Sequence, residues 1–183
     1  MYIKIKSIYD ILSLISLFSY LYFFYSLDIL LIIGCMLCVC IHKIIKEITT
    51  DWYPPIFKRP DGACDCNLFN TGGLVDMKSG FPSGHVATIS FLMNYILNCP
   101  CVTDAIIDYK TIILYNIPIV LVAYARVMKG CHNIIQVIAG YLLGLGVACL
   151  LNKYKHYFDN IISTLQSSIN DILVKIKSTY ILD

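Results

Sequence analysis

The chain has 183 residues, 58% hydrophobic and 14% charged, with a formal net charge of +2 and a mean hydropathy of +0.71. That is more apolar side chain than a single soluble core of this size can use, which excludes an ordinary soluble domain. The cations are scattered lysines rather than a basic stripe, so no nucleic-acid partner is expected.

Five stretches free of Asp, Glu, Lys and Arg organise the chain: 11–27, 29–42, 79–103, 111–125 and 130–152. A helix crossing hydrocarbon needs about 20 apolar residues, with a range of about 17 to 25. Three stretches meet that length, and the other two do so if Lys43 and Lys110 snorkel to the interface. The expected fold class is therefore all-α: a polytopic transmembrane helix bundle of about five spans, near 11–27, 29–45, 82–98, 110–126 and 132–151. The first apolar run is long and ends at no small-x-small cleavage site, so it reads as a retained span rather than a cleaved signal.

Segment 49–81 is the one long polar connection, and its prolines and glycines forbid a regular helix through most of it. A loop of that length in so small a protein is more often functional than idle. Gly140 and Gly144, four residues apart, give the last span a bare face for a neighbouring helix, within the chain rather than in a dimer. Beyond Lys153, Ile161, Leu165, Ile169, Ile172 and Ile176 recur every three to four residues opposite charged positions. This predicts an amphipathic helix, lying on the membrane surface or packed on the bundle or on another copy, so a homo-oligomer is possible. Residues 1–152 form the membrane domain on this reading, and 153–183 the tail.

Of the nine cysteines, Cys35, Cys38, Cys40 and Cys149 fall in expected spans, where they serve as small hydrophobes. Cys64, Cys66, Cys99, Cys101 and Cys131 lie in or near loops. The Cys64-Asp65-Cys66 pair lacks a second pair at metal-ligand spacing, and all five read as free thiols.

Only two of the 14 cationic residues are arginines, Arg59 and Arg126. Arginine offers a planar fork of donors that matches phosphate or carboxylate at two points. Arg59 lies in the long loop, and Arg126 ends the fourth span at the same membrane face. Pro82-Ser83-Gly84-His85 opens the third span, where the first backbone amides are unpaired and form an anion site. His132 opens the fifth span, six residues after Arg126, so a short turn brings guanidinium and imidazole together. His42 and His156 read as structural.

These residues carry a resemblance. Arg59-Pro60, then Pro82-Ser83-Gly84-His85, then Arg126 with five residues before His132, resemble the three-part signature of the type-2 phosphatidic acid phosphatase family. Those membrane lipid phosphatases are related to glucose-6-phosphatase and vanadium haloperoxidases. The resemblance covers about residues 46–140. It implies that His132 is the nucleophile that takes the phosphoryl group, that His85 is the general acid, and that Arg59, Arg126 and the backbone of Ser83 and Gly84 cradle the phosphate. Such a cradle stabilises transferred phosphate by position and charge, and no carboxylate cluster for magnesium accompanies the motifs, so neither metal nor cofactor is expected.

The chain departs from the pattern at three positions. The family's first-motif lysine corresponds to Trp52, leaving Lys46 and Lys58 as alternative substitutes. The serine before the third-motif arginine is Ala125. The acid that orients the nucleophilic histidine is Gln136, whose carbonyl can fix the tautomer without stabilising an imidazolium. An aspartate there would on this reading preserve or raise the rate.

The resulting expectation is an integral, multi-pass membrane phosphatase, in an intracellular membrane or elsewhere. Its partners are the bilayer and a lipid phosphate or polyprenyl diphosphate. The alternative is an inert relative that binds anionic headgroups or scaffolds a membrane. Nine cationic residues on the face with the motifs, against five opposite, favour a cytoplasmic site.

Overall fold

The computed structural model describes residues 5–26, 28–51, 55–75, 78–97 and 108–180. The described residues form six α-helices and one 3-10 turn, with no strand: α1 (Ile8–Ser13), α2 (Ile15–Ser26), α3 (Ile29–Thr49), the turn Pro55–Phe57, α4 (Gly84–Ile96), α5 (Tyr109–Met128) and α6 (Ile134–Tyr180). Among the described residues, three helical segments are long and apolar enough to cross a membrane: Ile29–Thr49, Tyr109–Met128 and Ile134–Ile161. A shorter apolar stretch, Ile8–Phe23, accompanies them. The expectation of an all-helical bundle agrees with this architecture, and its about five spans are roughly compatible with these three long helices and the shorter apolar ones.

The first expected span starts earlier and is interrupted. Ser7 caps α1 by accepting from the Asp10 amide, while the Asp10 carboxylate accepts from the Ser7 amide at 2.9 Å, a reciprocal box that closes the helix start. Leu14 separates α1 from α2. Ser13, Ser16 and Ser19 are all buried, and such small side chains let helices approach closely.

Asp28 starts α3 by accepting from the Leu31 amide at 3.0 Å, and it also receives the Tyr95 hydroxyl from α4. The helix then runs to Thr49, a turn beyond the expected end at 45. Lys46 lies on that last turn of the helix.

The third expected span is not a lipid-facing helix. At 13 residues, α4 is about 20 Å long by the rise of an α-helix, well short of the roughly 30 Å hydrocarbon core. Ten of its residues are buried, and it packs against α2, α3, α5 and α6. Phe91, Val86 and Ile89 sit in one apolar core with Leu30, Leu31 and Cys38 of α3 and Val147 and Ala148 of α6. Its run without charges is thus a core signature as much as a membrane one.

Gly140 and Gly144 face α4, as the sequence spacing required. A Cβ on Gly140 would meet the Ser83 carbonyl, and one on Gly144 would meet the backbone of Ala87 and Phe91. Ser90 Oγ donates across this seam to the Tyr141 carbonyl at 2.9 Å. The α6 helix does not break at residue 152. It continues through the tail as a single 47-residue helix, about 70 Å long.

The loop after α3 folds back on itself without forming strands. Arg59 donates its amide to the Lys78 carbonyl at 3.2 Å, and Gly80 donates to Phe57 at 2.8 Å. Farther out, Val75 donates to the Ala63 carbonyl at 2.8 Å. A hydrogen bond between Thr49 Oγ1 and Ser79 Oγ at 2.8 Å pins this hairpin to the end of α3. The loop therefore lies over the ends of α3, α4, α5 and α6, where the motif residues converge.

The seam predicts a contrast between glycines. Gly144→Ala should destabilise the protein by about 1–3 kcal/mol, because the added methyl has backbone rather than mobile side chain in its path. Gly146→Ala, with nothing within 4 Å, should leave stability unchanged or slightly raised. Thermal unfolding of the detergent-solubilised variants reads both, and equal shifts would contradict the packing assigned to this face.

Candidate active site

The turn from α5 to α6 is built around Arg126. Gly130 adopts φ +69°, the left-handed conformation that commonly ends a helix. Lys129 and Gly130 donate their amides to Ala125 and Val127 at 3.0 and 2.9 Å. The amides of Cys131 and His132 both donate to the Arg126 carbonyl, at 3.1 and 3.2 Å. One residue thus supplies a guanidinium and fixes the backbone of the histidine six positions later.

Asn133 caps α6. Its Oδ1 accepts from the Gln136 amide at 2.9 Å, and Gln136 Oε1 accepts in return from the Asn133 amide at 3.3 Å. Gln136 is fully buried, and every hydrogen-bonding position of its side chain is used. Nε2 donates to the carbonyls of Ile56 and Lys58 at 2.9 and 2.7 Å, and Oε1 also faces His132 Nδ1 at 3.1 Å. Because both amide hydrogens go to carbonyls, the atom facing His132 is the oxygen. Nδ1 therefore carries the proton, and the Nε2 lone pair is left for the cavity.

A cavity of about 480 Å³ opens at this end of the bundle, lined by Lys46, Arg59, Gly84, His85 and His132 among others. Arg126 does not line it and is completely buried. Lys46 lines the cavity and Lys58 does not. Lys58 instead contributes its carbonyl to Gln136 and a backbone bridge to Ser79. Trp52 lies outside the described residues. The Ser83 amide donates to the Gln136 carbonyl at 2.9 Å, so the amides left for an anion begin at Gly84, together with the Ser83 hydroxyl.

Five buried polar atoms here have no partner: Arg59 Nε, Arg126 Nε, Arg126 Nη1, His85 Nε2 and Ser83 Oγ. Among the described residues, no carboxylate lies within ion-pair distance of Arg59, Arg126 or Lys46. Buried donors without acceptors are costly, and these five lie on the loop, the start of α4 and the α5–α6 turn, which meet at this end of the bundle. Burial, followed by the charges of Arg126, Arg59, Lys46 and His85, holds the His132 imidazole well below the ordinary histidine range. Burial likewise lowers Arg59.

His42, expected to be structural, also lines the cavity. Its Nδ1 donates to the Cys38 carbonyl at 2.9 Å, and its Nε2 is 2.8 Å from where a Cβ on Gly84 would sit. The spacing of four from His42 to Lys46 on one helix was the available signal. Lys129 serves elsewhere: it pairs with Asp10 and donates to Asn70 Oδ1 at 2.8 Å, clamping α1 and the loop to the end of α5.

The reading of the loop cysteines as free thiols requires correction. Cys66 and Cys131, 65 residues apart, form a disulfide. The loop lies directly against the α5–α6 turn, a proximity that sequence spacing does not show. Cys149 is also disulfide-bonded, Cys64 is free and exposed, and Cys99 and Cys101 lie outside the described residues.

The Gln136 geometry reverses the expectation for an acid at this position. An aspartate or glutamate has no donors for the carbonyls of Ile56 and Lys58, and each carbonyl left unpaired costs about 1–3 kcal/mol. Gln136→Asp and Gln136→Glu should unfold at lower temperature than the parent and be at least as damaged as Gln136→Ala. An Asp variant as stable as the parent would contradict the bonding assigned to this amide.

A family model described as the PAP2 superfamily matches residues 27–159. No curated protein and no solved structure matches the chain. The match spans well over half of the chain and contains every motif residue that meets at the cavity, so this chain belongs to the PAP2 superfamily.

Proposed function

We propose that this protein is an integral, multi-pass membrane phosphatase that removes phosphate from a lipid phosphate or diphosphate through a phosphohistidine at His132. Family membership supports phosphatase activity in general. The observation that carries the finer reading is the group of buried, unpartnered donors on Arg59, Arg126, His85 and Ser83, beside a histidine whose tautomer leaves Nε2 as a nucleophile.

In this mechanism the phosphate enters the cradle of Arg59, Arg126, Lys46 and the first amides of α4. His132 Nε2 attacks phosphorus as the bond to the leaving oxygen breaks, and His85 protonates that oxygen. Gln136 keeps Nδ1–H directed at its own oxygen throughout, as a dipole rather than a charge. Water, giving a proton to the now neutral His85, then attacks the phosphorus of the phosphohistidine; the Nε2–P bond breaks, and His132 and inorganic phosphate are released. Val39, Leu68 and Val75 give the cavity an apolar side, which suits a headgroup whose tail remains in hydrocarbon.

A second reading, a headgroup-binding protein without turnover, draws on the neutral partner of His132. Phosphate release from a panel of lipid phosphates by detergent-purified protein separates the two. The phosphatase reading predicts release with chelator present and inhibition by vanadate, which imitates five-coordinate phosphorus. Vanadate binding without release from any lipid would favour the second reading.

Two further outcomes follow. Lys46→Gln should lower kcat/KM by about 10²- to 10³-fold, the scale of losing one donor to the transferring group, whereas Lys58→Gln should leave it within about twofold. Equal losses would remove Lys46 from the cradle. Protonation disables His132 as a nucleophile, and its affinity for a proton is depressed, so the acid limb of kcat/KM should lie well below pH 6.5. A limb at or above 6.5, after correction for substrate ionisation, would contradict the environment described for His132.

A further inference from the structure

The Cys66–Cys131 disulfide joins the two segments that hold the arginines by their backbone. Arg126, at the end of α5, donates from Nη2 to the carbonyl of Cys66 in the loop. Arg59, in the loop, donates from Nη1 to the carbonyl of Cys131 in the α5–α6 turn at 2.9 Å. The two bonds cross: each segment offers its half-cystine carbonyl to the arginine of the other. A guanidinium is planar, so one fixed Nη contact orients the remaining donors. Those are the Arg59 Nε and the Arg126 Nε and Nη1 atoms that have no protein partner. Cys131 also immediately precedes His132, whose amide is held by the Arg126 carbonyl.

We propose that the Cys66–Cys131 disulfide is a positioning element of the phosphate cradle, so that the oxidation state of this pair sets the activity of the site. The proposal rests on the phosphatase reading for its catalytic consequence. Disulfides persist in oxidising compartments and are rare where thiols are kept reduced. The site therefore faces an oxidising compartment, opposite to the orientation that the lysine and arginine counts favour. Loss of the bond occurs by exchange with an external dithiol: two electrons and two protons pass to the pair, giving the Cys66 and Cys131 thiols and one oxidised dithiol. The two acceptor carbonyls then have no covalent link across the loop–turn contact. Displacing catalytic groups by about 1 Å can cost about 10²-fold in rate.

The test uses the full-length protein. In native membranes quenched with acid, Cys66 and Cys131 should resist alkylation until a dithiol reductant is added, while Cys64 reacts. In the purified protein, reduction should lower kcat/KM by about 10- to 100-fold and raise the vanadate inhibition constant in parallel. The helical circular-dichroism signal should be retained, and reoxidation with a disulfide oxidant should restore both constants. Cys64→Ser, which removes the neighbouring thiol, should pass through the same cycle unchanged. Alkylation of the pair without reductant would overturn the proposal, as would a reduced protein with unchanged kcat/KM and vanadate affinity. Activity lost only in step with the helical signal would make the bond a staple of the fold and overturn the positioning role. If the oxidised protein turns over no lipid phosphate, the phosphatase reading fails separately. The positioning claim is then read from stabilisation by vanadate in thermal unfolding, which should be present in the oxidised protein and weakened in the reduced one; equal stabilisation overturns it.

Discussion

The four hydrogen bonds of one buried amide, Gln136, hold the site together. Its oxygen fixes the tautomer of His132 and closes the cap of α6 through the Asn133 amide, and its nitrogen anchors the loop at Ile56 and Lys58. Its backbone carbonyl receives the Ser83 amide at the start of α4. His132, the helix α6 that follows it, the loop that carries Arg59 and the helix that carries His85 are all referred to this residue. Gly80 is required by the same crowding, because a Cβ there would collide with Gln136 Oε1 and press on Arg59. A neutral side chain with two donors and an acceptor satisfies all these groups, whereas a carboxylate would leave two carbonyls without donors.

Around this anchor, positive charge is concentrated with no carboxylate in ion-pair distance among the described residues. A buried arginine normally lies against a carboxylate; Arg126 is fully buried and bonded to a backbone carbonyl. The folded protein tolerates this because the rest of the bundle is well packed, with α4 enclosed on every side and two glycines of α6 against its backbone. Stability built in the helices is what allows unpaired donors to be held at their ends, as the proposed phosphate cradle requires.

Much of this was legible in the sequence. The uncharged runs located the helices, and Gly140 and Gly144 identified the face that α4 packs against. The placement of Arg59, His85, Arg126 and His132 at one end followed from helices that return the chain to the same side. Other features depended on contacts that no local pattern encodes. The disulfide links positions 65 residues apart, and the choice of Lys46 over Lys58 depended on α3 running past residue 45. The burial of α4 could not be separated from a membrane span, because both environments select an apolar run. The continuity of α6 had a signal that the change from apolar to amphipathic pattern obscured: no glycine or proline occurs between 147 and 180.

In the proposed mechanism the lone pair of His132 Nε2 is directed at a phosphate held by the unpaired donors of Arg59 and Arg126. Rapid acid-free quenching of the purified protein with a lipid phosphate labelled at phosphorus, followed by peptide mapping, tests it most directly. The expected result is an acid-labile, alkali-stable label confined to the peptide containing His132 and absent from His132→Ala. Turnover of the same substrate with no label on that peptide, or with the label on another residue, would contradict it.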